Sequence, residues 1–295
     1  MTSETKTDRG PAEFESAASK GPQSVAEFDD HHQTIGQKIQ HTLHQTPSLV
    51  PLIVLLLSVL IFGLLLGSKF FSPFAMTLIL QQVQIVGIVA AAQSIVILTA
   101  GIDLSVGAIM VLSSVVMGQF TFRYGLPVEV AIAAGLICGT ICGYINGFLV
   151  AVVKLPPFIV TLGMWQIVLA TNFLYSANET IRSQDISEQA PLLQFFGNKV
   201  AIGGAIFTYG VIFMVLLVLV LAYVLRQTAW GRHVYAIGDD PEAAQLSGVQ
   251  VKRVQISVYM LSGLICAFAG WAMIGRIGSV SPTTGQLANI ESITA

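Results

Sequence analysis

Residues 48–67 read SLVPLIVLLLSVLIFGLLLG, twenty positions without one charged side chain. At 1.5 Å per residue that is about the length a helix needs to cross the ~30 Å hydrocarbon core of a bilayer. Stretches of the same kind recur near 75–100, 106–123, 128–153, 157–176, 205–225 and 255–275. The pattern predicts an all-α, polytopic integral membrane bundle with about seven to eight membrane segments in this chain. Its lipid bilayer is therefore the first partner to be read from the residues.

Composition agrees. The 295 residues are 54% hydrophobic and 10% charged, whereas a soluble domain carries roughly a quarter charged residues. A net charge of -2, from 14 Lys+Arg and 16 Asp+Glu, gives no basic face for a nucleic acid, so no nucleic-acid partner is expected. Three cysteines make no disulfide framework. Cys138 and Cys142 lie four apart in an apolar stretch without His or acidic companions, which reads as packing and not as a metal site.

Residues 1–46 differ in kind, holding seven of the 16 acids and hardly an aliphatic cluster. They predict a disordered cytosolic tail, with no secretory leader before the first span. His31, His32, His41 and His44 belong to this polar tail and, lacking Cys or patterned carboxylates, imply no metal. Counted on alternate sides of the spans, nine of the 14 Lys+Arg fall with the N-terminus, Lys154 and the 226–254 loop, and five fall opposite. That excess predicts a cytoplasmic N-terminus and a cytoplasmic 226–254 loop. The longest connection on the other side, 177–204, mixes charged and apolar residues as a docking loop would.

Inside the spans, Gly135, Gly139, Gly143 and Gly147 recur every fourth residue, a smooth face that lets a neighbouring helix approach at backbone distance. Ser262, Cys266 and Gly270 repeat the spacing later, as do Gly63 and Gly67 on the first span. Such a face also suits a seam that slides during alternating access.

Three places depart from simple spanning helix. In Gly101-Ile102-Asp103-Leu104-Ser105-Val106-Gly107 a carboxylate sits between two apolar stretches. Asp103 or Ser105 caps the helix starting near Val106, or the break lines a translocation path; both readings stand. Around Asn146-Gly147 and Lys154-Leu155-Pro156-Pro157, one span must end and another begin at the prolines. Thr161, Trp165, Gln166 and Asn172 then offer hydroxyl, amide and aromatic groups within an apolar helix. These fit a sugar pathway or interhelical hydrogen bonds equally. In the third, residues 230–248, Asp239 or Asp240 caps, Pro241 opens, Glu242 favours the positive end of, and Gly248 terminates a short surface helix. Small Ala243 and Ala244 suit insertion into a cleft on a cytosolic partner.

From about Pro51 to Ala295 the chain resembles the membrane permeases of bacterial ABC importers for ribose, xylose, galactose and related monosaccharides. The resemblance lies in three ordered blocks: GIDLSVGA at 101–108, NG at 146–147 followed by PPFIVTLGM at 156–164, and TAWGRHVYAIGDDPEAAQLSGV at 228–249. Asp239-Asp240 stands where many relatives have Gly-Asn. With QFTFRYGLP at 119–127 and NFLYSANETIRSQDIS at 172–187, the chain is most similar to the fructose-importing branch.

The resemblance implies a non-catalytic subunit that binds no cofactor itself, with ATP and Mg on partner ATPase subunits; no phosphate-binding Gly-x-x-x-x-Gly-Lys-Ser/Thr loop occurs here. It implies a second permease copy as a homodimer, cytosolic ABC ATPases, a periplasmic sugar-binding protein and a monosaccharide substrate, in the bacterial inner membrane. The ATPase-coupling residues would be Asp239, Asp240, Pro241, Glu242, Ala243, Ala244 and Gly248, with Arg232. The translocation-path candidates are Asp103, Ser105, Asn146, Thr161, Trp165 and Gln166. The domains would be the tail 1–46 and a permease domain 47–295, which stops short of the family's roughly ten membrane segments, with Asn289 to Ala295 starting a further helix. The alternative, an ion-coupled secondary sugar transporter, needs several intramembrane carboxylates, and Asp103 is the one firm candidate. A membrane enzyme finds no His-Glu-x-x-His or Gly-x-Ser-x-Gly motif.

Overall fold

The computed structural model describes residues 49–202, 205–285, 288 and 291–292. The tail 1–46 lies outside them, as do residues 289–290 and 293–295 of the helix expected from Asn289. Helix α1 (Leu49–Leu66) has 18 residues, apolar on every face and none buried, and as far as Leu65 it belongs to the first of two units. A helix that is apolar all round is at home in hydrocarbon.

The remaining residues form a second unit. Helix α2 (Pro73–Ile97) starts where Ser72 accepts a hydrogen bond from Ala75 N and Pro73 fills the first turn, whose N–H groups lack helical partners anyway. It ends with Ala100 in the left-handed region at φ 56° and Gly101 N donating back to Val96 O at 3.1 Å. Helix α3 (Val106–Phe122) is shorter, and all residues from Val106 to Gln119 are buried. Helices α4 (Val128–Ala151) and α5 (Pro157–Ser176) are separated by Lys154 at φ 63° and the two prolines.

After α5 the chain folds into α6 (Ser183–Gln189), a 3-10 turn (Pro191–Gly197) and a hairpin of β1 (Lys199–Ile202) and β2 (Ala205–Thr208), antiparallel with Lys199 opposite Thr208. Helices α7 (Tyr209–Gln227), α8 (Ala229–Asp239), α9 (Pro241–Leu246) and α10 (Val251–Ile277) follow. Among the described residues six helices are long and apolar enough to cross a membrane, and α3 is a shorter apolar seventh. This is the polytopic helical bundle the sequence predicts. Two local expectations change. The stretch 205–208 is a strand, so the span there begins at Tyr209. The 226–254 loop carries a second helix, α8, whose Gly231, Val234 and Ile237 are buried.

Helix α10 is the centre, touching α4, α3 and α2. Its contact with α4 runs along the glycine face. A Cβ on Gly139 would lie 2.6 Å from Gly263 O, one on Gly147 2.9 Å from Ile256 Cα, and one on Gly143 would overlap the Tyr259 carbonyl. Gly135 faces Met117 and Ser113 of α3. On another face of α10, Gly270 meets Met110 and Ser114 of α3. Without hydrophobic driving force inside a bilayer, this backbone-to-backbone van der Waals contact is what holds helices together.

The 177–208 segment is pinned across one end of the unit, here the hairpin end. Ile181 and Val280 exchange backbone hydrogen bonds at 2.9 and 3.2 Å. Gln194 Nε2 donates to Gly278 O at 3.0 Å, and Trp271 Nε1 to Leu192 O at 3.2 Å. Phe195 and Phe196 pack on Trp271, with ring centroids 6.0 and 4.8 Å away.

Gly143→Leu is expected to overpack the α4–α10 seam by about 1–3 kcal/mol or more, lowering the thermal unfolding midpoint in detergent. Gly163→Ala, which opens onto nothing within 4 Å, is the neutral control. Equal midpoints for the two would remove the seam as a stabilising contact.

Candidate functional site

The break between α2 and α3 is the most polar point of the interior. Asp103, 1% exposed, has an Oδ1 that accepts from Ser105 N at 2.8 Å and Ser105 Oγ at 2.6 Å. Asn146 Nδ2 of α4 donates to Ser105 Oγ at 2.9 Å. Gln93 of α2 brackets the Asp103 peptide, its amide nitrogen donating to Asp103 O at 3.0 Å and its oxygen accepting from Asp103 N at 3.2 Å. Thr161 Oγ1 of α5 lies 3.1 Å from Ile102 O and 3.0 Å from Pro157 O. Tyr259 of α10 closes the far side: a Cβ on Gly101 would stand 2.8 Å from its hydroxyl, so a side chain there would have to push the tyrosine aside.

One short irregular segment is thus clasped by side chains from α2, α4 and α5 and walled by α10. The reason is elementary: backbone groups freed where a helix stops find no water in hydrocarbon, and each left unpaired costs several kcal/mol. Neither Asp103 nor Ser105 caps α3 through its side chain, since Ser105 is the N-cap residue without a side-chain bond. Asp103 instead accepts from the N–H and hydroxyl of Ser105, the residue just before the helix.

Of the six expected path residues, Asp103, Ser105, Asn146 and Thr161 are buried and come together. Trp165 is half-buried and lines a small cavity with Ala108, Val111, Leu169 and Asn172, while Gln166 is exposed. Gln93 and Tyr259 complete the clasp; Gln93, like Gln81 and Gln84, stands out in the sequence as a polar residue within an apolar span, whereas the place of Tyr259 is a tertiary fact.

At the other end, α9 is built as a rigid projection. Asp240 Oδ1 accepts from Glu242 N at 2.9 Å and Ala243 N at 3.0 Å, and Pro241 occupies the first turn. Gly248, at φ 88°, turns the chain away, and Val249 N donates to Ala244 O at 3.0 Å. Ala244 is buried, whereas Glu242, Ala243 and Gln245 are exposed, and Leu246 is 90% exposed. Helix α8 anchors this projection: Thr228 caps it, and Trp230 Nε1 donates to Ser257 Oγ of α10 at 2.8 Å. Asp239 ends α8, and Arg232 is exposed on it. Leu246 was not singled out from sequence, although a lone apolar residue at the end of a capped polar helix is a readable signal.

Among the described residues no group of three His, Cys, Asp or Glu is placed to hold a metal ion. Spanning helices, an interrupted span clasped by polar side chains, and a capped helix standing out of one end define a multi-pass membrane protein of transporter type. Residues 75–295 match the family described as branched-chain amino acid transport system / permease component, and the chain belongs to that family of transport permeases.

It is 70% identical over 293 residues to the fructose import permease protein FrcC of Rhizobium meliloti, covering 99% of this chain and 81% of that one. The ribose import permease protein RbsC of Bacillus subtilis (strain 168) is 36% identical over 78% of this chain and 70% of its own length. The xylose transport system permease protein XylH of Escherichia coli (strain K12) is 28% identical over 74% and 69%. No solved structure gives a significant match.

Ser105→Ala and Asn146→Ala are each expected to destabilise by about 1–3 kcal/mol through a buried partner left unpaired. Because they share one hydrogen-bond chain, the double variant is expected to cost less than the sum of the two. Unfolding midpoints in detergent test this, and strict additivity would mean that the clasp does not act as a unit.

Proposed function

We propose that this chain is the membrane-spanning permease of an ATP-binding-cassette importer that moves a monosaccharide, fructose by preference, into the cell. The observation that carries this reading is the near full-length likeness to a fructose import permease. Two copies surround the path in the inner membrane, with the N-terminus and α9 on the cytoplasmic side. A periplasmic sugar-binding protein delivers solute to the hairpin end, and two cytosolic ATPases, which hold ATP and Mg, power the cycle.

The geometry of α9 supports the coupling half of this reading. The double cap by Asp240 fixes the helix without burying it, so the exposed face from Glu242 to Leu246 is free to enter a cleft on the ATPase. Leu246 supplies the apolar anchor of such a contact and Glu242 its charge. Helix α8, tied to α10 through Trp230, passes the ATPase's movement into the bundle. Alternating access then follows as a rocking of the two permease copies about the path between them.

In cells lacking their own fructose permease but supplied with the binding protein and ATPase, the chain is expected to import labelled fructose in preference to competing ribose and xylose. Better competition by ribose than by unlabelled fructose would overturn the choice of sugar. Leu246→Asp and Glu242→Lys are expected to insert normally yet lose uptake, Leu246→Asp by about 30-fold, the weight of one interface anchor. Full uptake by both variants would remove α9 as the coupling element.

A further inference from the structure

Helix α8 does more than join α7 to α9. Its Gly231, Val234 and Ile237 are buried, three apart, which lays one face of the helix against the bundle. Gly238 continues that face. A Cβ there would overlap the carbonyl oxygen of Leu98 and stand 3.7 Å from Thr99 Cα, where α2 ends. Main chain thus meets main chain with no side chain between. Gly238 lies inside α8 without a positive φ, so its backbone would accept alanine, the better helix former. Space, not conformation, excludes a side chain here.

Both partners of this contact are stiff. On one side, Asp240 alone separates α8 from α9; its N donates to Ala236 O at 3.1 Å, and its Oδ1 caps α9 at 2.9 and 3.0 Å. The projecting helix and Gly238 therefore move as one piece. On the other side, Val96 O gathers Thr99 N at 3.0 Å, Thr99 Oγ1 at 2.8 Å and Gly101 N at 3.1 Å, closing Leu98 to Gly101 into a tight turn. Ile102 and Asp103 come next, in the break that Gln93, Asn146 and Thr161 clasp. Beyond the break, α3 is gripped by α10 where Gly270 meets Met110 and Ser114. A displacement of Leu98 finds no slack before the break, so it changes the angle at which α2 meets α3.

Resting on the permease reading above, we propose that Gly238 is a positioning residue for energy coupling: it lets α8 bear directly on the end of α2, and so carries the movement that an ATPase imposes on α9 to the break at Asp103. Trp230 and Ser257 give α9 one route into the bundle, through α10. The Gly238 contact is a second route, and it ends at the clasp. Close-packed backbone suits this task, because it passes on a push with no side-chain rotamer to give way.

Fructose uptake and ATP hydrolysis, measured together in proteoliposomes holding the full chain, its ATPase and the binding protein, test this. Gly238→Ala is expected to hydrolyse ATP at the parental rate while the sugar moved per ATP falls about tenfold, the weight of one methyl forced into a close contact. Gly163→Ala, which meets nothing within 4 Å, is expected to keep the parental ratio. A bimane attached to Ile102→Cys, at an exposed position in the break, reports movement there, with the parent and its three native cysteines as the blank. Its emission is expected to shift when the ATPase is trapped with ATP and vanadate, and Gly238→Ala is expected to lose that shift. If the parent imports fructose while Gly238→Ala keeps its sugar-per-ATP ratio, or loses both rates together, the coupling role is refuted and the permease reading stands. If the parent imports no monosaccharide, the permease reading fails and takes the coupling role with it. If Gly238→Ala does not assemble, the Ile102→Cys label in the otherwise parental chain decides: an emission unmoved by ATP and vanadate overturns the proposal, and a shift supports it.

Discussion

Hydrocarbon offers no hydrogen bonds, and the architecture of this chain follows from that. Wherever a span stays helical, the backbone satisfies itself. Wherever it does not, protein groups take water's place. Between α2 and α3 the replacement comes from Gln93, Asp103, Ser105 and Thr161, with Asn146 holding Ser105 from behind. After α10 it comes from Asn172 and the bridge to Ile181. The two irregular segments differ in one respect. The first is held by side chains from several helices; the second is held by the amides of Asn172 and Gln194, the Thr180 hydroxyl and a two-bond backbone bridge.

The glycine seam is the complement of these clasps. Its contacts are backbone against backbone, with Gly139 and Gly263 facing each other and Gly147 against Ile256. Nothing polar is exchanged, and the attraction is the sum of many small dispersion terms. A bundle fastened this way has few directional bonds, so orientation is set by the clasps and closeness by the seam. Cys142 and Cys266, both buried, fit as small packing residues near this core.

Much of the fold was legible because spans announce themselves by composition. The prolines at 156–157 and the Pro241 cap also mark their helices locally. What stayed hidden depends on partners distant in the chain. Gln93 and Tyr259 enter the clasp only because α2 and α10 pass the break, and no spacing rule links position 93 to 103 or 259 to 101. Asp103 invited a capping assignment from its place before α3, but its carboxylate serves the turn preceding the helix. The strand at 205–208 looked like the start of a span because AIFT is as apolar as the helix it precedes. Helix α8 was readable from Gly231, Val234 and Ile237, three apart, yet its charged neighbours suggest a loop.

Helix α10 has a property that belongs to its length. At 27 residues it is about 40 Å long. One end is welded to the pinned 177–208 segment, where Gly275 meets Gly197 and Trp271 holds Leu192. At the other, Ser257 receives Trp230 of α8, and Val251 follows the turn that closes α9. No proline interrupts the helix between them. Its two ends therefore belong to one continuous hydrogen-bonded ladder that spans the hydrocarbon, and the contacts at each end are made by the same helix.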